Sequence, residues 1–219
     1  MKKNVTQYIE RWLSEEEKRH TNNIVITMDL AGVTLTVPPY IFLPDPEITH
    51  STPLLLKSIG DYDFHGKEVL DLGTGSGFFA IYSKLKGAAS VVATDIEDKI
   101  LLQALNNAKT NGATNIQFIE SNIFGNIKGR YDYIFANGPI SARAWPKSKT
   151  NGHSIESYGD VLFSQYRDYL KPGGLMFMTF AEFGPVSVFY ETLKKNSVKF
   201  NEYREEKFGI WWAFYQIYR

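Results

Sequence analysis

The chain has no cysteine. Disulfides, thiolate metal sites and cysteine nucleophiles are therefore all excluded. It has no excess of either charge, with 24 Lys plus Arg against 24 Asp plus Glu. Proteins that wrap nucleic acid are usually basic, so this balance disfavours that class and leaves only a local basic patch open. No apolar run approaches the roughly 18 residues of a membrane-spanning helix. The first twenty residues, MKKNVTQYIERWLSEEEKRH, are charged throughout and have no apolar stretch of signal-peptide length. A cytoplasmic protein is expected. There is no internal repeat or low-complexity segment. The histidines, His20, His50, His65 and His153, lack metal-ligand spacing, so no metal site is expected.

What is present fits one domain with a small attachment. The 219 residues are 43% apolar and 22% charged, an ordinary globular balance. Val5, Tyr8, Ile9, Trp12 and Leu13 recur at helical spacing and predict a helix over 4–19. Runs 24–28 and 33–37 around Asp29-Leu30-Ala31-Gly32 predict a β-hairpin. Pro38, Pro39, Pro44 and Pro46 exclude a helix in the next stretch, which reads as an extended linker with a boundary near residue 50. Residues 1–50 are thus an N-terminal helix, hairpin and linker, expected to cover substrate. Residues 51–219 form the main domain.

From residue 52 onward helix-like and strand-like segments alternate. The predicted helices are 52–60 (Thr52 capping, Pro53 at the first position), 77–86, 98–111, 157–170 and 185–195. The predicted strands are 68–72, 90–95, 116–119, 131–136 and 175–180, then a hairpin of 197–204 with 210–218 around Phe208-Gly209. Such alternation predicts an α/β fold, a parallel sheet covered on both faces with an antiparallel addition at one edge.

The sharpest motif is Val69-Leu70-Asp71-Leu72-Gly73-Thr74-Gly75-Ser76-Gly77. Glycine is needed where backbone turns with positive φ or passes close to a ligand. This loop ends the first main strand, where open α/β sheets bind ligands. Asp95 ends the next strand, 24 residues after Asp71, and a carboxylate there can accept ribose hydroxyls. The spacing is G-x-G-x-G with an acid in front, not the G-x-G-x-x-G of a pyrophosphate site. An acid repels phosphate and attracts a cation, so the loop suits a ribose-bearing, positively charged ligand.

These residues resemble the class I S-adenosylmethionine-dependent methyltransferases: VLDLGTGSG is similar to their first motif and ATDI to their second. The resemblance implies a Rossmann-like seven-stranded mixed sheet in the order 3-2-1-4-5-7-6. It implies S-adenosyl-L-methionine as cofactor, held by Thr52, Asp71, Gly73, Thr74, Gly75, Gly77, Asp95, Ile96, Asn122 and Ile123. Asp95 would anchor the ribose, Asp71 would help place the amino-acid end, and Ile96 and Asn122 would meet adenine.

Ala136-Asn137-Gly138-Pro139-Ile140 stands where nitrogen-methylating members often carry Asn-Pro-Pro-Tyr. The resemblance gives Asn137 and Pro139 as catalytic and Gly138 and Ile140 as substrate-binding. Leu43-Pro44-Asp45-Pro46-Glu47 resembles a segment of the release-factor glutamine methyltransferases, with Asp45 in place of their arginine. It implies in-line transfer to a nitrogen, with oxygen or an RNA base as the alternative acceptor.

The polar loop 141–156 carries Arg143, Lys147 and Lys149 around Trp145, so Arg143 and Trp145 are expected to hold substrate, a small molecule, peptide or protein. Nucleic acid is disfavoured and oligomeric state is open. His50 and His153 are candidate bases. An aminopropyltransferase would want carboxylates after the fourth strand. A non-catalytic binding module would not need Asp71, Asp95 and Asn137 together.

Overall fold

The computed structural model describes residues 3–138 and 155–219. Helix α1 (Lys3–Thr21) leads into the hairpin β1 (Ile26–Leu30) and β2 (Val33–Val37). β2 covers the predicted 33–37, while β1 lies two residues later than the predicted 24–28. Its turn is only Ala31-Gly32, at φ 51° and 80°, the two-residue geometry whose twist matches the flanking strands.

Helix α2 (Ser51–Ser58) follows the linker. It starts one residue before the predicted Thr52 cap, with His50 at the N-cap and no side-chain capping bond. Pro53 is tolerated in this first turn because its missing N–H would have no intrahelical partner.

The main sheet uses β3 (Glu68–Leu72), β4 (Ser90–Asp95), β5 (Ile116–Glu120), β6 (Tyr131–Phe135), β7 (Leu170–Ala181), β8 (Lys199–Lys207) and β9 (Ile210–Tyr218). Between them run α3 (Phe78–Leu85), α4 (Asp98–Thr110), α5 (Ile155–Tyr169) and α6 (Val186–Lys195). The order β5-β4-β3-β6-β7-β9-β8 is the expected 3-2-1-4-5-7-6 when the seven strands are numbered along the chain. β9 alone runs against the rest, antiparallel to both β7 and β8. The predicted helix end Lys171-Pro172-Gly173-Gly174 lies instead inside β7. A register shift absorbs it, since Tyr131 pairs with Leu170 but Tyr133 with Leu175. A Cβ on Gly174 would come within 2.9 Å of the Tyr131 carbonyl.

Side chains alternate across the strands, so the sheet has two apolar faces. Val69, Phe135, Phe177 and Trp212 pack with α1, the hairpin, α2 and α3. Leu70, Ile134, Met176 and Tyr215 pack with α5 and α6. One core therefore runs from Val5 and Leu35 of the first 50 residues into the sheet.

Two polar joints hold the N-terminal segment. Arg19, 4% exposed, bonds both Glu16 carboxylate oxygens and the carbonyls of Val37 and Pro38. Asn107 of α4 and Asn111 at its C-cap each exchange two hydrogen bonds with the backbone of β2, at Thr36 and Thr34.

Candidate functional site

β3 and β6 are neighbours whose connections leave in opposite directions, the switch point where such sheets open a crevice. Walking along the carboxyl edge from β4 to β9 meets Asp95, the glycine loop after β3, Asn137 after β6, Phe183 after β7 and Trp212 in β9. A cavity of about 300 Å³ runs under them.

The loop is shaped by its neighbours. Gly73, Gly75 and Gly77 all have positive φ, at 67°, 54° and 85°. The Thr74 N–H bonds the Thr94 carbonyl at 2.7 Å. Asp71 Oδ2 accepts the Thr74 hydroxyl at 2.6 Å and the Ala80 N–H at 3.1 Å. Asp71 thereby ties the loop to the first turn of α3. Asp95 accepts from Gly75 N at 3.2 Å and Ile96 N at 2.8 Å.

Burial pushes the Asp71 carboxyl up to about 6, against the lowering by its Thr74 and Ala80 bonds, and the Asp95 charge adds to the rise. Burial likewise raises Asp95 to about 6, opposed by backbone N–H groups. Both acids therefore gain from a cation nearby.

Most of the sequence-predicted site comes together. Thr52, Asp71, Gly73, Thr74, Gly75, Asp95, Ile96, Asn122 and Ile123 all line the cavity, with Asn137 and Gly138. Gly77 does not; its missing Cβ faces Ala104 of α4, which a methyl group would meet at 3.1 Å. Pro139, Ile140, Arg143, Trp145 and His153 lie outside the described residues. His50 is hydrogen-bonded to Glu205 and lies edge-on to Trp212.

Other cavity residues escaped the sequence reading. Tyr8 and Trp12 of α1 belong to the helical stripe of a segment expected to cover substrate, but nothing in the stripe singles them out as lining the site. Together with Phe183 and Trp212 they form an aromatic wall, Tyr8 lying 5.5 Å from Phe183 and 5.7 Å from Trp212 between ring centres. Thr179 bonds Asn137 and Tyr158 reaches the cavity from α5, both through tertiary packing that no local pattern signals. Ile123 sits at φ 50°, strained for a β-branched residue, its carbonyl held by the Ser121 hydroxyl at 2.9 Å.

The comparisons with known proteins agree with this geometry. The family described as ribosomal protein L11 methyltransferase (PrmA) matches residues 49–143. A protein of Methanocaldococcus jannaschii carrying the name protein N5-glutamine methyltransferase is 31% identical over 163 residues, covering 68% of this chain and 76% of its own. The release factor glutamine methyltransferase of Lactococcus lactis is 31% identical, over 65% of this chain and 53% of its own. This chain thus spans about half the length of the Lactococcus enzyme. The crystal structure of a ribosomal protein L11 methylase from Lactobacillus delbrueckii superposes with a TM-score of 0.62 at 26% identity, covering 78% of this chain and 79% of that one.

The chain belongs to the S-adenosylmethionine-dependent methyltransferases, in the family of these enzymes. It is a transferase, and its cofactor is S-adenosylmethionine. The site fits that cofactor: two buried carboxylates flank a loop where a Cβ on Gly73 would meet no atom within 4 Å.

Proposed function

We propose that this enzyme methylates a nitrogen in a protein or peptide side chain, with a primary carboxamide such as glutamine's as the acceptor. When bound, the cofactor supplies an electrophilic methyl on a cationic sulfur. The chain's residues do the rest. Asp95 accepts the ribose hydroxyls. Ile96, Asn122 and Ile123 border the adenine. Gly73, Thr74 and Gly75 let the loop approach closely, with Thr52 across the cavity. Asp71 fixes the loop and adds a negative field towards the cationic end.

The carrying observation is the place and fixation of Asn137. It lies two residues beyond the end of β6, the strand beside the one that carries the glycine loop, and its side-chain oxygen is held by Thr179. That oxygen and the Gly138 carbonyl accept the two N–H groups of the acceptor and aim its nitrogen. Positioning of this kind supplies several kcal/mol of barrier reduction.

In the same reading Pro139 shapes the turn, and Ile140, Arg143 and Trp145 complete the substrate side. Residues 1–50 cover it through Tyr8 and Trp12. The names of the archaeal and Lactococcus relatives support a glutamine acceptor. A translation-related substrate of that kind also goes with a cytoplasmic location.

The test is labelled methyl transfer to glutamine peptides, lysine peptides and RNA. Label recovered on the glutamine nitrogen is expected, and label only on RNA or on oxygen overturns the reading. Asn137→Ala is expected to bind cofactor normally by calorimetry and to lose turnover.

A further inference from the structure

Helix α5 lays a tyrosine against the acceptor motif. The Tyr158 ring comes so close to Gly138 that a Cβ there would fall 2.6 Å from Cζ and 2.7 Å from the hydroxyl oxygen. No real Cβ tolerates such contacts. Gly138 is not among the glycines with positive φ, so the tyrosine and not the backbone conformation demands glycine here.

The hydroxyl is shielded from water, and no hydrogen-bond partner reaches it among the described residues. A buried, unmet hydroxyl costs free energy. A protein keeps one when something bound supplies the missing partner. Burial, with the charges of Asp71 and Asp95, raises the phenol's pKa well above its ordinary value. The hydroxyl therefore keeps its proton and remains a donor.

Asn137 Oδ1 and the Gly138 carbonyl are acceptors. Tyr158 sets a donor beside them in the same cavity. A carboxamide presents the matching pattern, an NH₂ next to a carbonyl oxygen, whereas a protonated alkylamine presents donors only.

We propose that Tyr158 is a specificity-determining contact for the methyl acceptor, its hydroxyl donating to the oxygen beside the methylated nitrogen, and that Gly138 is the residue that admits it. The proposal rests on the assignment of Asn137 as the orienting group.

The experiment compares the wild type, Tyr158→Phe and Gly138→Ala. Three quantities are read: cofactor affinity by calorimetry, kcat/KM on a glutamine peptide and on a lysine peptide, and the thermal midpoint of the free protein. Tyr158→Phe is expected to keep cofactor affinity within twofold and to hold or raise the midpoint. Its kcat/KM on the glutamine peptide is expected to fall at least tenfold, narrowing the preference over lysine. Gly138→Ala is expected to displace the ring and reproduce that loss.

An unchanged kcat/KM in Tyr158→Phe overturns the proposal. So does a lowered midpoint, which would mark a structural hydroxyl, and this readout needs no substrate. A wild type that labels only lysine or RNA overturns the carboxamide reading. A lysine acceptor has no oxygen beside its nitrogen, so that result removes the Tyr158 contact as well, whereas an unchanged Tyr158→Phe on a labelled glutamine removes the contact alone.

Discussion

Thr179 donates its hydroxyl to Asn137 Oδ1 at 2.5 Å, from within β7 to the residue two beyond the end of β6. Thr179 is almost wholly buried. The bond fixes the amide plane and leaves the oxygen's second lone pair for another donor. Thr179→Ala should therefore lower kcat about tenfold, about 1.4 kcal/mol of barrier, with cofactor affinity unchanged. Thr179→Ser should restore most of the loss, because it keeps the hydroxyl. Steady-state kinetics on the three proteins check this; a serine variant as slow as the alanine one would refute it.

Asp71 and Asp95 give the protein a definite pH response. Their folded values of about 6 lie above the unfolded value near 4. The folded state therefore binds protons more tightly between those values. The stability these groups contribute is full below about pH 4 and is lost as pH rises through about 6. Each is worth at most about 2–3 kcal/mol. Asp95→Asn removes one such group, so its thermal midpoint relative to wild type should rise as pH goes from 5 to 8. Cofactor affinity in the wild type should fall below about pH 6, where the ribose-binding carboxylate is protonated. Scanning calorimetry and titration across that range test both, and a midpoint difference independent of pH would sink the idea.

Gly73 and Gly77 should separate binding from folding. Gly77 caps α3 at φ 85°, and a Cβ there would press on Ala104 at 3.1 Å. Gly77→Ala should cost about 1–3 kcal/mol of stability. At Gly73 the added methyl meets open space. Gly73→Ala should cost less stability and more cofactor affinity, because the space it enters belongs to the cavity. Chemical denaturation beside calorimetry would distinguish the two, and equal effects at both positions would refute the distinction.

The buried Arg19–Glu16 pair is one of the two polar joints of the N-terminal segment. Burial raises the Glu16 carboxyl while Arg19 lowers it. Arg19→Ala would strand a buried acid and remove a donor from the Val37 and Pro38 carbonyls, for a loss of about 3–5 kcal/mol. Urea unfolding measures it; a loss below about 1 kcal/mol would show that the pair is not structural.

Much of this architecture was legible because its signals are local. The spacing of glycines around Asp71, the acid at Asp95 and the strand–helix alternation follow short-range rules, and the sheet order follows from the resemblance they carry. What escaped depends on distant chain. Thr179 reads as one more residue of the apolar run LMFMTF, and only β6–β7 pairing turns it towards Asn137. Tyr158 meets Gly138 only because of how α5 packs. Tyr8 and Trp12 follow a helical stripe, which does not say whether the covered surface is core or cavity. His50, a candidate base from its position, is engaged by Glu205, 155 residues away. The hairpin turn is shorter than the four residues Asp29–Gly32 expected, because Asp29 and Leu30 stay in β1 and the positive φ of Ala31 and Gly32 alone makes the reversal.

The asparagine contacts on β2 have an effect beyond anchoring. At Thr34 and Thr36 the outward N–H and carbonyl groups are all consumed by two side-chain amides. An unprotected border of that ribbon would be a template for a foreign strand. Asn107 and Asn111 imitate the missing neighbour for two rungs, and so close the β2 edge of the small sheet against self-assembly without adding a residue of strand.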